Sequence, residues 1–126
     1  MTTTPIVLIV EDDEVQAAVF TRALKDAGYE VEHIADGQDA LDHLATAQPD
    51  LILLDLHLPR VDGQQILSFI HAQDHLKDTQ VIVASADGAM ADQLPDKPLL
   101  VLNKPVSVFQ LQHLATRLHP TNHWSE

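Results

Sequence analysis

No cysteine occurs among the 126 residues. Disulfides, thiolate metal sites and cysteine nucleophiles are therefore excluded together, and the composition suits a reducing compartment. No apolar run approaches the ~20 residues needed to cross a bilayer, and Met1 to Pro5 lack the basic and apolar regions of a signal peptide. A cytoplasmic protein without membrane insertion is expected. Positive charge is scarce as well: seven basic residues stand against nineteen acidic ones, giving a net charge of −12. Such a chain repels a polyanion at each phosphate contact instead of releasing its counterions, which argues against direct nucleic-acid binding. Internal repeats, low-complexity tracts and an inter-domain linker are missing too. The chain reads as a single domain over 1–126, with a core of about 5–118 and frayed ends at Thr2 to Pro5 and His119 to Glu126.

What the sequence does hold is a series of short apolar runs, each ending in a polar residue. Ile6-Val-Leu-Ile-Val10 is continuous and β-branched, as a strand buried on both faces of a parallel sheet is, and it stops at Glu11-Asp12-Asp13. From there Val15, Ala18, Val19, Ala23, Leu24 and Ala27 recur at helical spacing, with Asp12 or Asp13 as the cap and Gly28 as the stop. The pattern repeats. Glu30 to Ile34 alternates as a strand, and Gln38 to Ala47 carries a stripe of Ala40, Leu41, Leu44 and Ala45 before Pro49 breaks it. Leu51-Ile-Leu-Leu54 runs into Asp55; beyond Pro59 and Gly63 a helix bears Ile66, Leu67 and Ile70. Val81-Ile-Val-Ala84 and Leu99-Leu-Val-Leu102 read as further strands, and Leu111, Leu114, Ala115 and Leu118 mark a last helix. The segment from Asp87 to Pro98 contains Gly88, Pro95 and Pro98, so the fourth helix is expected to be short or broken, around Ala89 to Leu94.

Strands alternating with helices predict an α/β fold with a doubly wound, five-stranded parallel sheet. Sheets of this kind place ligands beyond the carboxyl ends of their strands. Glu11, Asp12 and Asp13, then Asp55, Ser85, Asn103 and Lys104, follow the strands and are predicted to converge on one crevice. Glu11, Asp12 and Asp55 would repel one another there unless a cation or a proton neutralised them. An all-oxygen ligand set favours a hard cation. Mg²⁺ fits best, because it binds through one or two carboxylates and keeps places for water and phosphoryl oxygens. Lys104 adds a point charge and Ser85 a hydroxyl donor. A carboxylate nucleophile, a metal, an ammonium and a hydroxyl about one point suit phosphoryl transfer, with an aspartyl phosphate at Asp55 as product.

Four motifs occur in order: Ile6-Val-Leu-Ile-Val-Glu-Asp-Asp13, Pro49-Asp-Leu-Ile-Leu-Leu-Asp-Leu-His-Leu-Pro59 with Gly63, Ala84-Ser-Ala86, and Lys104-Pro105. Through them the chain resembles the receiver domain of two-component response regulators over almost its whole length, as a stand-alone domain. The resemblance implies a flavodoxin-like, CheY-like sheet of order 2-1-3-4-5. It implies Asp55 as phosphoacceptor and Asp12 and Asp55 as Mg²⁺ ligands, with Glu11 acting through water, Asp13 left as the helix cap, and the His57 backbone carbonyl as a further ligand. It also implies Ser85 and Lys104 on phosphoryl oxygens, a cis peptide before Pro105, and a small Ala86 leaving room for the phosphoryl group. The phosphoryl donor would be a sensor histidine kinase or a histidine phosphotransfer protein. The downstream protein target is not named by the sequence. Such a protein is not an enzyme on outside substrates and catalyses only its own aspartyl phosphorylation and dephosphorylation.

The chain departs from that pattern in places. Ser85 to Lys104 is a few residues tighter than usual, and Val101 stands where receivers often carry a Tyr or Phe whose ring turns inward on activation. Signal transmission from Ser85 is therefore expected through loop and backbone shifts. His57 and Asp87 lie two positions beyond Asp55 and Ser85, where they could pair across the site and tune phosphoryl lifetime. The other histidines, His33, His43, His71, His75, His113, His119 and His123, read as helix-surface or tail residues without zinc spacing. Phe20, Phe69, Met90 and Phe109 read as core or packing residues, and Trp124 as an exposed tail residue. A phosphorylation-dependent switch, a phosphorelay shuttle or phosphate sink, and a phosphorylation-independent adaptor all remain open. An aspartyl phosphatase would need a second acid two residues after its nucleophile, where His57 stands.

Overall fold

The computed structural model describes residues 4–120. The continuous apolar runs become the inner strands of one sheet: β1 (Ile6–Val10), β3 (Leu51–Asp55) and β4 (Gln80–Ser85), flanked by β2 (Glu30–Ile34) and β5 (Leu100–Asn103). The order is β2-β1-β3-β4-β5 and every pairing is parallel. Both faces are covered by α1 (Glu14–Asp26), α2 (Gly37–Leu44), α3 (Gly63–Ala72), α4 (Gly88–Asp92) and α5 (Val108–Leu118). Alternate strand residues therefore enter different cores. Leu8, Val10, Ile52 and Leu54 pack with Ala40, Leu44, Ile66 and Ile70. Val7, Ile9, Leu51 and Leu53 pack with Phe20, Leu24, Leu111 and Ala115 on the other face. Each such side chain contributes roughly 1.5–3 kcal/mol when fully buried, so a polar residue inside either run would cost heavily. The edge strand β2 has no such restriction and carries Glu30, Glu32 and His33, which also discourage edge-to-edge pairing.

Caps account for several of the acids. Asp13 accepts from Val15 N and Gln16 N, Asp36 from Asp39 N, and Asp87 from Met90 N; Asp62 makes a capping box with Gln65. Each satisfies orphan donors of a first turn and lies near the positive end of the helix dipole. Asp13 is thus the cap of α1, as the resemblance implies. After α1, Gly28 takes φ 97, a left-handed conformation that costs glycine little.

Several expectations need correcting. Helix α1 buries Ala17, Phe20, Ala23 and Leu24, while Val15 is 73% exposed and Val19 40%. Two apolar stripes overlap on this helix, and only docking on the sheet selects between them. Val15 and Val19 instead border a groove of about 450 Å³ with Lys104, Pro105 and Val106. Helix α2 stops at Leu44, before Ala47, and the Thr46 and Ala47 amides both bond the His43 carbonyl in the turn that follows. Phe109 is 85% exposed and belongs to no core, whereas Phe20 is buried and Phe69 packs partly buried against one core. Pro5 is buried with its carbonyl bonded by Glu30 N, and His119 packs edge-on against Tyr29; neither is frayed. His33 lies on β2 and His75 in a 3-10 turn at Asp74–Leu76, not on α-helix surfaces. Helix α4 is present but only five residues long, as Gly88 and the prolines lead one to expect. Expectations for Thr2, Thr3 and residues 121–126, including His123 and Trp124, fall outside the described residues. Among the described residues no helix is long and apolar enough to cross a membrane.

Candidate functional site

Register brings the acids together. Val10 pairs with Leu54, so Glu11, the residue just after β1, arrives beside Asp55 at the end of β3. Asp55 in turn pairs with Ala84, and Ser85 with Asn103, which places Lys104 at the same end of the sheet. Asp55 and Ser85 are the last residues of their strands and not the first of the loops, since the ladder continues through their backbones. Glu11 is 1% exposed and Asp55 3%, while Asp12 faces solvent. The carboxylates of Glu11, Asp12 and Asp55 each offer an oxygen within 4.8 Å of the others, and this is the sole such cluster among the described residues.

The Lys104 ammonium lies 3.2 Å from Glu11 Oε1 and 3.3 Å from Asp55 Oδ1. Its backbone N–H donates to the Ser85 carbonyl at 2.9 Å, which anchors the residue whose side chain crosses the cleft. The Lys104–Pro105 peptide is cis, as expected. Burial disfavours the Lys104 charge, but Asp55 and Glu11 together outweigh it and hold the ammonium above the usual lysine range. Burial, and then the charge of Asp55, push the Glu11 carboxyl up to about 7. No buried polar side-chain atom lacks a hydrogen-bond partner among the described residues. What the cluster lacks is therefore positive charge: one ammonium faces three carboxylates. A hard divalent cation bound by oxygen ligands fits that deficit.

Local bonds hold the acids in place. Asp13 N donates to Glu11 Oε2 at 3.2 Å, and His57 N donates to Asp55 Oδ1 at 3.0 Å. Gly63 opens α3 against this turn: its N–H donates to the Leu56 carbonyl, and a Cβ there would lie 2.5 Å from Leu56 Cα and 2.7 Å from the Asp55 carbonyl oxygen. Only glycine lets α3 start so close to the end of β3.

Ser85 is fully buried, and its hydroxyl donates to the Asp87 carbonyl while accepting from Asp87 N, both at 3.0 Å. The hydroxyl is thus bound into the turn leading to α4. Asp87 uses its carboxylate to cap α4 and makes no ion pair with the exposed His57, so the pairing that their positions allow is not formed. Ala86 is exposed beside that turn. Sequence reasoning missed the His57 and Asp13 amides, because backbone donors leave no residue-type signal. It also missed His33, whose ring Nε2 lies 2.7 Å from the Glu11 carbonyl oxygen.

The chain is 34% identical over 87 residues to the polar-differentiation response regulator DivK of Brucella anthropi, covering 69% of this chain and 71% of DivK. It is 33% identical over 116 residues to the transcriptional regulatory protein PrrA of Mycobacterium tuberculosis, covering 92% of this chain but only 49% of PrrA. The chain thus spans about half the length of that relative. The crystal structure of the receiver domain of the sensor histidine kinase PA1611 from Pseudomonas aeruginosa PAO1, with magnesium coordinated in its active-site cleft, superposes with a TM-score of 0.82. The two are 29% identical, over 92% of this chain and 98% of that one. The response regulator receiver domain model matches residues 7–115, from β1 to the buried turn of α5, and the chain belongs to that family.

Proposed function

We propose that Asp55 accepts a phosphoryl group from the phosphohistidine of a sensor histidine kinase or a histidine phosphotransfer protein, and that the modified chain changes its binding to a partner protein. The observation that carries this reading is a buried carboxylate at the end of β3, 3.3 Å from an ammonium and within one cluster with two further acids. An Asp55 carboxylate oxygen forms the new P–O bond as the P–N bond of the donor breaks; the donor ring, protonated by water on its other nitrogen, takes the electron pair of that bond and leaves as neutral imidazole. Asp12 and Asp55, the His57 carbonyl and, through water, Glu11 would hold Mg²⁺, which neutralises the charge gathering on the phosphoryl oxygens. Lys104 offsets further negative charge. The chain catalyses only its own phosphorylation and dephosphorylation, and it acts in the cytoplasm without binding nucleic acid directly.

The Ser85 hydroxyl supplies the route outward. Moving it onto a phosphoryl oxygen takes it from both Asp87 backbone partners, and Asp87 is the cap of α4. Val101 sits partly buried against one core and has no ring to swing, so the turn and α4 carry the change. His57 and Asp87 flank the site and set how long the phosphoryl group persists, with Ala86 leaving it room. A shuttle or sink is the second reading, favoured by the five-residue α4, which offers little surface to a target.

The test is incubation with acetyl phosphate and Mg²⁺, followed by intact mass measurement. One added phosphoryl group on wild type, lost in both Asp55→Asn and Asp12→Asn, is expected. No gain on wild type would leave the phosphorylation-independent adaptor. Return of the phosphoryl group to a histidine phosphotransfer protein, without any change in partner binding, would favour the shuttle.

A further inference from the structure

The loop bearing Glu11, Asp12 and Asp13 begins where the β1–β2 ladder ends. The ladder runs from Ile6 paired with Glu30 to Val10 paired with Ile34. Beyond it the Glu11 N–H still donates to the Ile34 carbonyl at 3.2 Å. The Glu11 carbonyl has no such backbone donor, because β2 stops at Ile34 and the chain turns to let Asp36 cap α2. The His33 ring takes that place, with Nε2 2.7 Å from the Glu11 oxygen. A carbonyl oxygen only accepts, so Nε2 carries the hydrogen.

We infer that His33 is a positioning residue for the metal-binding acids: by donating to the Glu11 carbonyl from the edge strand, it fixes the peptide from which Glu11 and Asp12 project. Glu11 is then held at its N–H by Ile34, at its carbonyl by His33, and at its carboxylate by Asp13 N and Lys104. Asp12 follows this clamped peptide directly and precedes the Asp13 cap, so little freedom remains in the direction its carboxylate takes. The solvent-facing Asp12 has no packing of its own to orient it. A loop left to move would spread the three carboxylates beyond the reach of one small cation with strict geometry. The inference rests on the metal reading of this cluster.

His33→Val removes the donor and suits a strand, whereas His33→Gln keeps an N–H donor. His43→Ala serves as a control, since His43 contacts Glu32 on the same strand at 3.0 Å but does not reach the loop. Mn²⁺ binding by titration calorimetry and amide exchange at Asp13 are the readouts. His33→Val should weaken Mn²⁺ binding roughly ten-fold and speed Asp13 exchange, with His33→Gln staying near wild type and His43→Ala unchanged. Wild-type Mn²⁺ affinity and unaltered Asp13 exchange in His33→Val would overturn the inference, as would an equal loss in His43→Ala. A wild type that takes up no Mn²⁺ would instead remove the metal reading. The exchange rate at Asp13 then decides the clamp alone, with an unchanged rate overturning it.

Discussion

Replacing Lys104 by Met keeps the aliphatic volume and the backbone bond to Ser85 but removes the one ammonium that the described residues bring to the cluster. Glu11 and Asp55 are then left buried and uncompensated. At an effective dielectric of about 20, each contact near 3.2–3.3 Å is worth roughly 5 kcal/mol of gross attraction. Much of this is offset by the desolvation of the ammonium, and measured losses on removing one partner of a buried pair are about 3–5 kcal/mol. Glu11 limits the loss further, because its carboxyl is already pushed up to about 7 and relieves the repulsion by taking a proton. In chelator at neutral pH the variant should therefore lose about 3 kcal/mol, a large share of a typical domain's stability. Excess Mg²⁺ should restore most of it by supplying the missing charge. Urea denaturation with and without Mg²⁺ measures both quantities. The companion Asp55→Asn removes the like charge beside Glu11 together with the Lys104 contact, so it should cost less than Lys104→Met, and the double variant should be far from additive. A Lys104→Met protein as stable as wild type in chelator would refute the reasoning. So would an equal deficit in chelator and in Mg²⁺.

Three further outcomes are expected. Gly63→Ala should lose about 1–3 kcal/mol or more by overpacking, and should lower the rate of phosphoryl uptake with it, because the added carbon meets the Leu56 and Asp55 backbones instead of a flexible side chain; thermal unfolding and acetyl phosphate labelling check this. Burial, and then the charge of Asp50, push the Tyr29 phenol up to about 12 from its ordinary 10. The neutral phenol donates to the Ala115 carbonyl at 2.9 Å, so its contribution is complete below pH 10 and is lost as pH rises towards 12. The stability difference between wild type and Tyr29→Phe should accordingly shrink by up to about 2–3 kcal/mol across that interval, and a difference independent of pH would contradict it. His57→Ala should change the dephosphorylation rate without changing the fold; equal rates in the two proteins would remove His57 as a modulator.

Much of this molecule was legible in its residues because the local rules and the global fold agree. A strand covered on both faces must be apolar at consecutive positions, so Ile6 to Val10 and Leu51 to Leu54 announce inner strands of a parallel sheet, and a ligand site at their ends follows from the topology. Glycine, proline and capping residues mark where helices begin and stop, including the brevity of α4. The acids that end those strands, with Lys104, determined the chemistry expected at Asp55. Tertiary structure decided which of several equivalent local choices was taken. Asp12 and Asp13 are interchangeable as caps until the loop is placed; then Asp13 bonds the first turn and Asp12 turns to the cluster. The stripes on α1 are equally apolar until docking buries Phe20 and leaves Val15 outside. The bonds from His57 N to Asp55, from Ser85 to the Asp87 backbone, and from His33 to the Glu11 carbonyl join groups with no residue-type signal or from separate elements. Their existence depends on strand register and on where each loop turns, which spacing along the chain does not encode.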